Sequence, residues 1–96
     1  MMSAYWIAHV NINDAQQYQN YIDLAPLAFN KYQAKFIARG ENATSLEGEK
    51  FTKHVVIEFP DYQTALDCYH SEEYQLAKKQ RKDIAKAMIT IVDGLV

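Results

Sequence analysis

Histidine, arginine and glutamate are side chains suited to moving a proton and holding an anion, and this sequence sets one of each in a short apolar run. They are His9 in AYWIAHVNI (4–12), Arg39 closing KFIAR (35–39) and Glu58 in KHVVIEF (53–59). A carboxylate takes or gives a proton, an imidazole relays it, and a guanidinium holds negative charge on a substrate. Read as strands, the runs alternate sides. Tyr5, Ile7 and His9 share one side with Ile37, Arg39, Val56 and Glu58, while Trp6, Ala8, Val10, Phe36, Ala38, Val55, Ile57 and Phe59 make the other side wholly apolar. His9, Arg39 and Glu58 are therefore the candidate catalytic residues: Glu58 as base or acid, Arg39 as anion holder, His9 as proton shuttle. The plainer reading is that Arg39 and Glu58 neutralise each other beneath an interface.

Among the seven tyrosines, Tyr5 shares the side of His9, and Tyr32 and Tyr69 are placed to line a cleft between helices and sheet; these three are the candidate ligand contacts. Tyr18, Tyr21, Tyr62 and Tyr74 fall at core spacing on helix faces and read as packing. His9, His54 and Glu58 share parity and resemble a two-histidine, one-carboxylate metal set. Four residues along one strand separate His54 from Glu58 by roughly 13 Å, too far for one ion, so no metal site is expected. Cys68 reads as a small buried hydrophobe rather than a nucleophile. Gly40, Gly48 and Gly94 read as turn residues, without a phosphate-cradling loop or nucleophile elbow, and no cofactor is expected. The basic stretch KKQRK (78–82) reads as a solvated helix end.

These side chains need a scaffold to position them. The first strand, 4–12, is followed by Asp14 as an N-cap with Gln17 as its capping-box partner, and by helical spacing through Tyr18, Tyr21, Ile22, Ala25, Phe29 and Tyr32. Pro26 predicts a kink or restart near Ala25. Strands at 35–39 and 53–59 form a hairpin through an extended piece at 43–46 and a turn at 47–50; closing it with Leu46 opposite Phe51 puts Arg39 opposite Glu58. Asp61 caps a second helix, Ser71 caps a further helical piece from Glu72 to about Lys82, and AMITIV (87–92) is the last strand.

The order is β-α-β-β-α-β, the ferredoxin-like α+β plan. Right-handed crossovers place both helices on one face of a four-stranded antiparallel sheet. The first and third strands are expected to be central and parallel, bringing His9 near Glu58. The other sheet face stays half apolar and uncovered, and a second copy of the same sheet would close it into a barrel.

Composition bounds the reading. Ninety-six residues allow a single domain, 1–96, and the 49% apolar, 23% charged balance is that of a folded chain. A net charge of −2 with only two arginines, Arg39 and Arg81, argues against nucleic acid. The longest apolar run is far shorter than the roughly 20 residues of a membrane span, and the start lacks signal-peptide features, so no membrane partner and a cytoplasmic location are expected. A single cysteine excludes an internal disulfide.

Four stretches carry a resemblance: YWIAHVNINDAQQYQNY (5–21), FIARG (36–40), LEG (46–48) and VVIEFPDYQTALDCYHSEEYQLAKKQR (55–81). The chain resembles the domain-of-unknown-function 1330 family, small bacterial proteins of the dimeric α/β-barrel superfamily, whose members often carry arginine where this chain has His9. The resemblance implies a ferredoxin-like protomer, a homodimer through the open sheet face, and no agreed activity. The wider superfamily includes cofactor-independent monooxygenases, haem-degrading enzymes, isomerases and decarboxylases with pockets inside the barrel or between sheet and helices. The resulting expectation is a homodimer with a small-molecule pocket acting as a cofactor-independent enzyme on a small organic acid or aromatic compound. The alternatives are a non-catalytic ligand-binding dimer and a purely structural one.

Overall fold

The computed structural model describes residues 2–95. The chain runs β1 (Ala4–Ile12), α1 (Ala15–Lys31), β2 (Lys35–Ala38), β3 (Lys53–Phe59), α2 (Tyr62–His70), α3 (Glu72–Lys79) and β4 (Ala85–Asp93). Each helix starts where its cap residue satisfies an orphan amide. Asp14 Oδ1 accepts from the Gln17 amide at 3.1 Å, Asp61 Oδ1 from that of Thr64 at 2.7 Å, and Ser71 Oγ from that of Tyr74 at 3.1 Å. The Ser71 hydroxyl also donates to the Cys68 carbonyl at 2.7 Å, so one side chain ends α2 and begins α3. Of the expected kink or restart at Pro26, the restart does not occur: α1 continues through it, anchored by buried Ala25, Ala28 and Phe29 while Pro26 lies on the exposed side. A proline removes only one helical bond, and the packed face outweighs that loss.

The sheet order is β2-β3-β1-β4, antiparallel throughout. β1 and β3 are central as expected, but they are not parallel. The crossover through α1 makes β2 run with β1, the β2–β3 connection reverses the chain, and β3 enters the slot between them antiparallel to β1. The resulting register pairs Tyr5 with Glu58 and His9 with His54.

β2 is shorter than its sequence suggests. Lys35 pairs with Glu58 and Phe36 with Ile57, and then Ala38, rather than Ile37, takes the place opposite Val56. This bulge inserts one residue, so the sides exchange beyond it: Phe36 faces the helices, Ala38 does not, and Arg39 returns to the helix side. No strand forms at 43–46. The connection is instead anchored at its far end, where the Asn11 amide donates to the Lys50 carbonyl and its oxygen accepts from the Thr52 amide, both at 2.9 Å.

The core lies between the helices and the apolar side of the sheet, centred on Trp6. Its indole meets Phe29 and Tyr74 edge-on at 5.3 and 5.0 Å, and stacks on Phe59 at 5.9 Å. Ala25, Ala28, Ala65, Cys68 and Ala77 are the small residues that let the helices approach this aromatic cluster.

Candidate functional site

On the uncovered sheet face the antiparallel register produces two separate polar pairs. His9 Nδ1 and His54 Nδ1 lie 2.8 Å apart, so one imidazole donates its Nδ1 proton to the other. The Tyr5 hydroxyl donates to Glu58 Oε2 at 3.3 Å. Tyr5 and His9 are four positions apart on β1, roughly 13 Å, so His9 and Glu58 do not meet. Arg39 joins neither pair, because the bulge turns it to the opposite side, where its guanidinium sits 4.6 Å from the centre of the Phe36 ring. The expected convergence of His9, Arg39 and Glu58 therefore does not occur, and its two causes are the strand direction of β3 and the bulge in β2. Among the described residues no third His, Cys, Asp or Glu joins His9 and His54 in a group fit to hold a metal ion. Around the two pairs the face is mixed: Ile7 and Val56 are half-buried, Met88 and Val92 of β4 are 49% and 45% exposed, Thr90 stands opposite Ile7 and Lys35 opposite Glu58.

Among the described residues, two cavities stand out on the helix side. One, of about 640 Å³, lies between α2, α3 and β4 and is lined by Tyr62, Leu66, Tyr69, His70, Lys78 and Arg81 with Ala87, Ile89, Thr90 and Ile91. Tyr69 is among the residues lining it. Tyr32 lines neither cavity; it packs against the core cluster beneath Lys31. The second, of about 560 Å³, lies between α1 and the β2–β3 side of the sheet.

Charge distinguishes the first cavity. Arg81 is only 9% exposed, and among the described residues no carboxylate pairs with it. Its Nη2 donates to the Tyr74 hydroxyl at 3.2 Å, and its guanidinium lies 5.3 Å from the centre of the Tyr21 ring. The Tyr74 and Tyr21 hydroxyls share a 2.9 Å hydrogen bond. Burial, reinforced by Tyr74, holds the Tyr21 phenol well above its ordinary pKa, so it is a neutral hydroxyl that cannot balance the cation. Lys78 Nζ donates to the Tyr69 hydroxyl at 2.7 Å. Arg81, Lys78 and His70 are thus among the residues lining this cavity, and no acidic residue lines it. A buried cation without a counter-charge is costly, and an anion seated there would offset that cost.

KKQRK reads in the sequence as a solvated helix end, whereas the structure buries Arg81 and sets Lys78 on Tyr69. The available signal was the i, i+4 spacing of Tyr74 and Lys78, which puts them on one stripe of α3, with Arg81 in the turn that follows. Cys68 is buried as expected, and burial pushes its thiol up to about 12, which removes it as a nucleophile near neutral pH.

The model of a family described as a domain of unknown function (DUF1330) matches residues 3–95. No curated protein matches the chain. Among solved structures, a protein of unknown function from Rhodopseudomonas palustris is similar, with a TM-score of 0.81 at 16% identity over 99% of this chain and 84% of that one. SnoaB, a cofactor-independent oxygenase from Streptomyces nogalater, is similar at a TM-score of 0.65 and 8% identity, covering 95% of this chain and 91% of its own. A dimeric protein of unknown function with a ferredoxin-like fold from Bacteroides fragilis follows at 0.57 and 11%, over 95% of both chains. At these identities the similarity shows the fold and nothing finer.

Proposed function

The chain belongs to the DUF1330 family, and from that premise we propose that it is a homodimeric protein whose β4-side cavity binds a small organic acid or aromatic anion and turns it over without a cofactor. The observation that carries this reading is Arg81: a buried arginine with no carboxylate partner among the described residues, lining a cavity whose other residues are aromatic, apolar and basic apart from Thr90. Aromatic walls take the flat body of the ligand, while Arg81 and Lys78 hold its negative end. Similarity in fold to a cofactor-independent oxygenase supports a reaction in which the substrate supplies the chemistry and the protein supplies orientation and charge.

The dimer rests on the open sheet face, where Ile7, Val56, Met88 and Val92 offer an apolar surface and a structural neighbour of the same fold is dimeric. In this reading the His9–His54 and Tyr5–Glu58 pairs fix the register of the two-fold contact, and Arg39 serves a different cleft. Light scattering should give twice the 11.1 kDa protomer mass, and Val92→Lys should return it to the protomer value. A protomer mass for the wild type would end the dimer proposal.

The test of the site is a thermal-shift titration with benzoate, 4-hydroxybenzoate and phenol, on wild type beside Arg81→Met and Lys78→Met. The reading requires the two carboxylates to raise the wild-type midpoint and to lose that effect in Arg81→Met. Equal shifts in both proteins, or no shift at all, would refute it. Product analysis after incubation of a bound compound with air then separates an enzyme from a binding protein.

A further inference from the structure

We propose that the cleft between α1 and the β2–β3 side of the sheet is a second and separate binding site, for an amphipathic carboxylate whose apolar chain lies inward and whose head group stays at the rim. It shares no lining residue with the β4-side cavity, and the proposal does not depend on the function assigned there.

The cleft exists because β2 stops early. The extended piece expected at 43–46, had it paired, would lengthen the hairpin beside the entrance of β3, whereas the bulge and the departure of the chain after Ala38 leave this end of the sheet edge open. The opening has an apolar floor and wall formed by Ile22, Ala25 and Phe29 of α1 with Phe36, Val55 and Ile57 of the sheet. Two of these remain out in solvent, Ile22 at 41% and Phe36 at 38% exposed. Apolar side chains lining a concavity and still meeting water are a surface that a hydrocarbon ligand would cover.

The rim supplies the head-group chemistry. Arg39 rests on the Phe36 ring at 4.6 Å and the Lys53 ammonium lies 5.9 Å from the centre of the Tyr18 ring, so both cations are held by aromatic rings of the cleft itself. Among the described residues neither is paired with a carboxylate, and one acidic residue, Glu41, also lies on the rim. Two cations at the mouth of an apolar cleft select a negative head on an apolar tail; a neutral or cationic amphiphile gains only the apolar part. A cleft of about 560 Å³ accommodates a medium-length chain.

The experiment uses the intact protein with decanoate, decanol and decyltrimethylammonium, each below its micelle concentration and measured by titration calorimetry. Decanoate is expected to bind about tenfold more tightly than decanol, and Arg39→Met combined with Lys53→Met is expected to bring it down to the decanol value. Both rim residues are exposed, so this variant should fold, and its melting curve checks that it does. Ile22→Asp, also at an exposed position, should weaken decanoate and decanol alike. Lys78→Met, on the wall of the other cavity and bonded to Tyr69, should leave decanoate binding unchanged. The proposal is overturned if decanoate does not bind, if it binds no better than decanol, if the rim variant binds it as well as wild type does, or if Lys78→Met abolishes binding. The last outcome would place the anion in the other cavity.

Discussion

Tyr74→Phe isolates a single hydroxyl. Tyr74 is fully buried, and its ring lies 5.0 Å from that of Trp6 and 5.9 Å from that of Phe29. Phenylalanine keeps those contacts and the shape of the core. What is lost is the oxygen that accepts from Arg81 Nη2 at 3.2 Å and shares a 2.9 Å bond with the Tyr21 hydroxyl. A hydrogen bond to a charged group contributes about 1.5–3 kcal/mol, and leaving the buried Tyr21 hydroxyl unsatisfied adds to the cost, so the substitution should destabilise by about 2–4 kcal/mol. In a domain of this size each kcal/mol moves the melting midpoint by roughly 4–8 °C, so the fall should be at least about 8 °C. The assay is urea unfolding followed by Trp6 fluorescence, because the chain's one tryptophan is buried at the centre of the affected cluster. Protomer concentration must be matched, since association would add to apparent stability. Tyr21→Phe leaves the Tyr74–Arg81 bond in place and should cost less, and the double variant should cost little more than Tyr74→Phe alone, giving a coupling of about 1 kcal/mol. A Tyr74→Phe cost below about 0.5 kcal/mol, with additive effects in the cycle, would show that the chain of hydroxyls carries no structural weight and would remove the argument that the Tyr74 and Tyr21 hydroxyls hold Arg81 in place.

Gly94→Ala should destabilise by about 1–3 kcal/mol, because a Cβ there would come within 2.8 Å of the Ser3 carbonyl and of Tyr5 Cε2; unfolding curves check it, and a neutral result would mean that the end of β4 shifts freely. Gln33→Gly should stabilise by about 0.5–1 kcal/mol, since residue 33 follows α1 with a φ of 61°, a conformation glycine adopts without cost. Cys68, its thiol held up at about 12 by burial, should resist iodoacetamide at pH 8 in the native protein and react once urea unfolds it; fast native labelling counted by mass spectrometry would contradict the burial. The amide and side-chain hydrogen bonds from Thr64 hold the Asp61 carboxyl below its ordinary 3.8, so its contribution to stability is full above that value and fades as the pH falls through the lower folded value. The gap in melting midpoint between wild type and Asp61→Ala should therefore be wide at pH 7 and close on acidification, and a gap constant with pH would show that the charge is not what caps α2.

Much of the fold is written locally. The bounds of β1 and β3 follow from period-two alternation, and the starts of α1, α2 and α3 from Asp14, Asp61 and Ser71, because a cap acts within three residues of itself. The core role of Trp6 follows from its place on the wholly apolar side of β1. The candidate sites depended on relations between distant segments, and there the sequence was silent. Whether His9 meets Glu58 or His54 turns on the direction in which β3 fills the slot beside β1. Whether Arg39 faces Glu58 or a cleft under α1 turns on one inserted residue between Phe36 and Ala38, since side chains alternate with a period of two and a single slip exchanges the faces. Arg81 lies in a stretch whose composition reads as solvated, and only the packing of α3 against α1 and of the following turn beside β4 makes it a buried cation. Composition and periodicity report what a segment does with its own neighbours; which charges end up facing one another is decided by the register and packing of the whole chain.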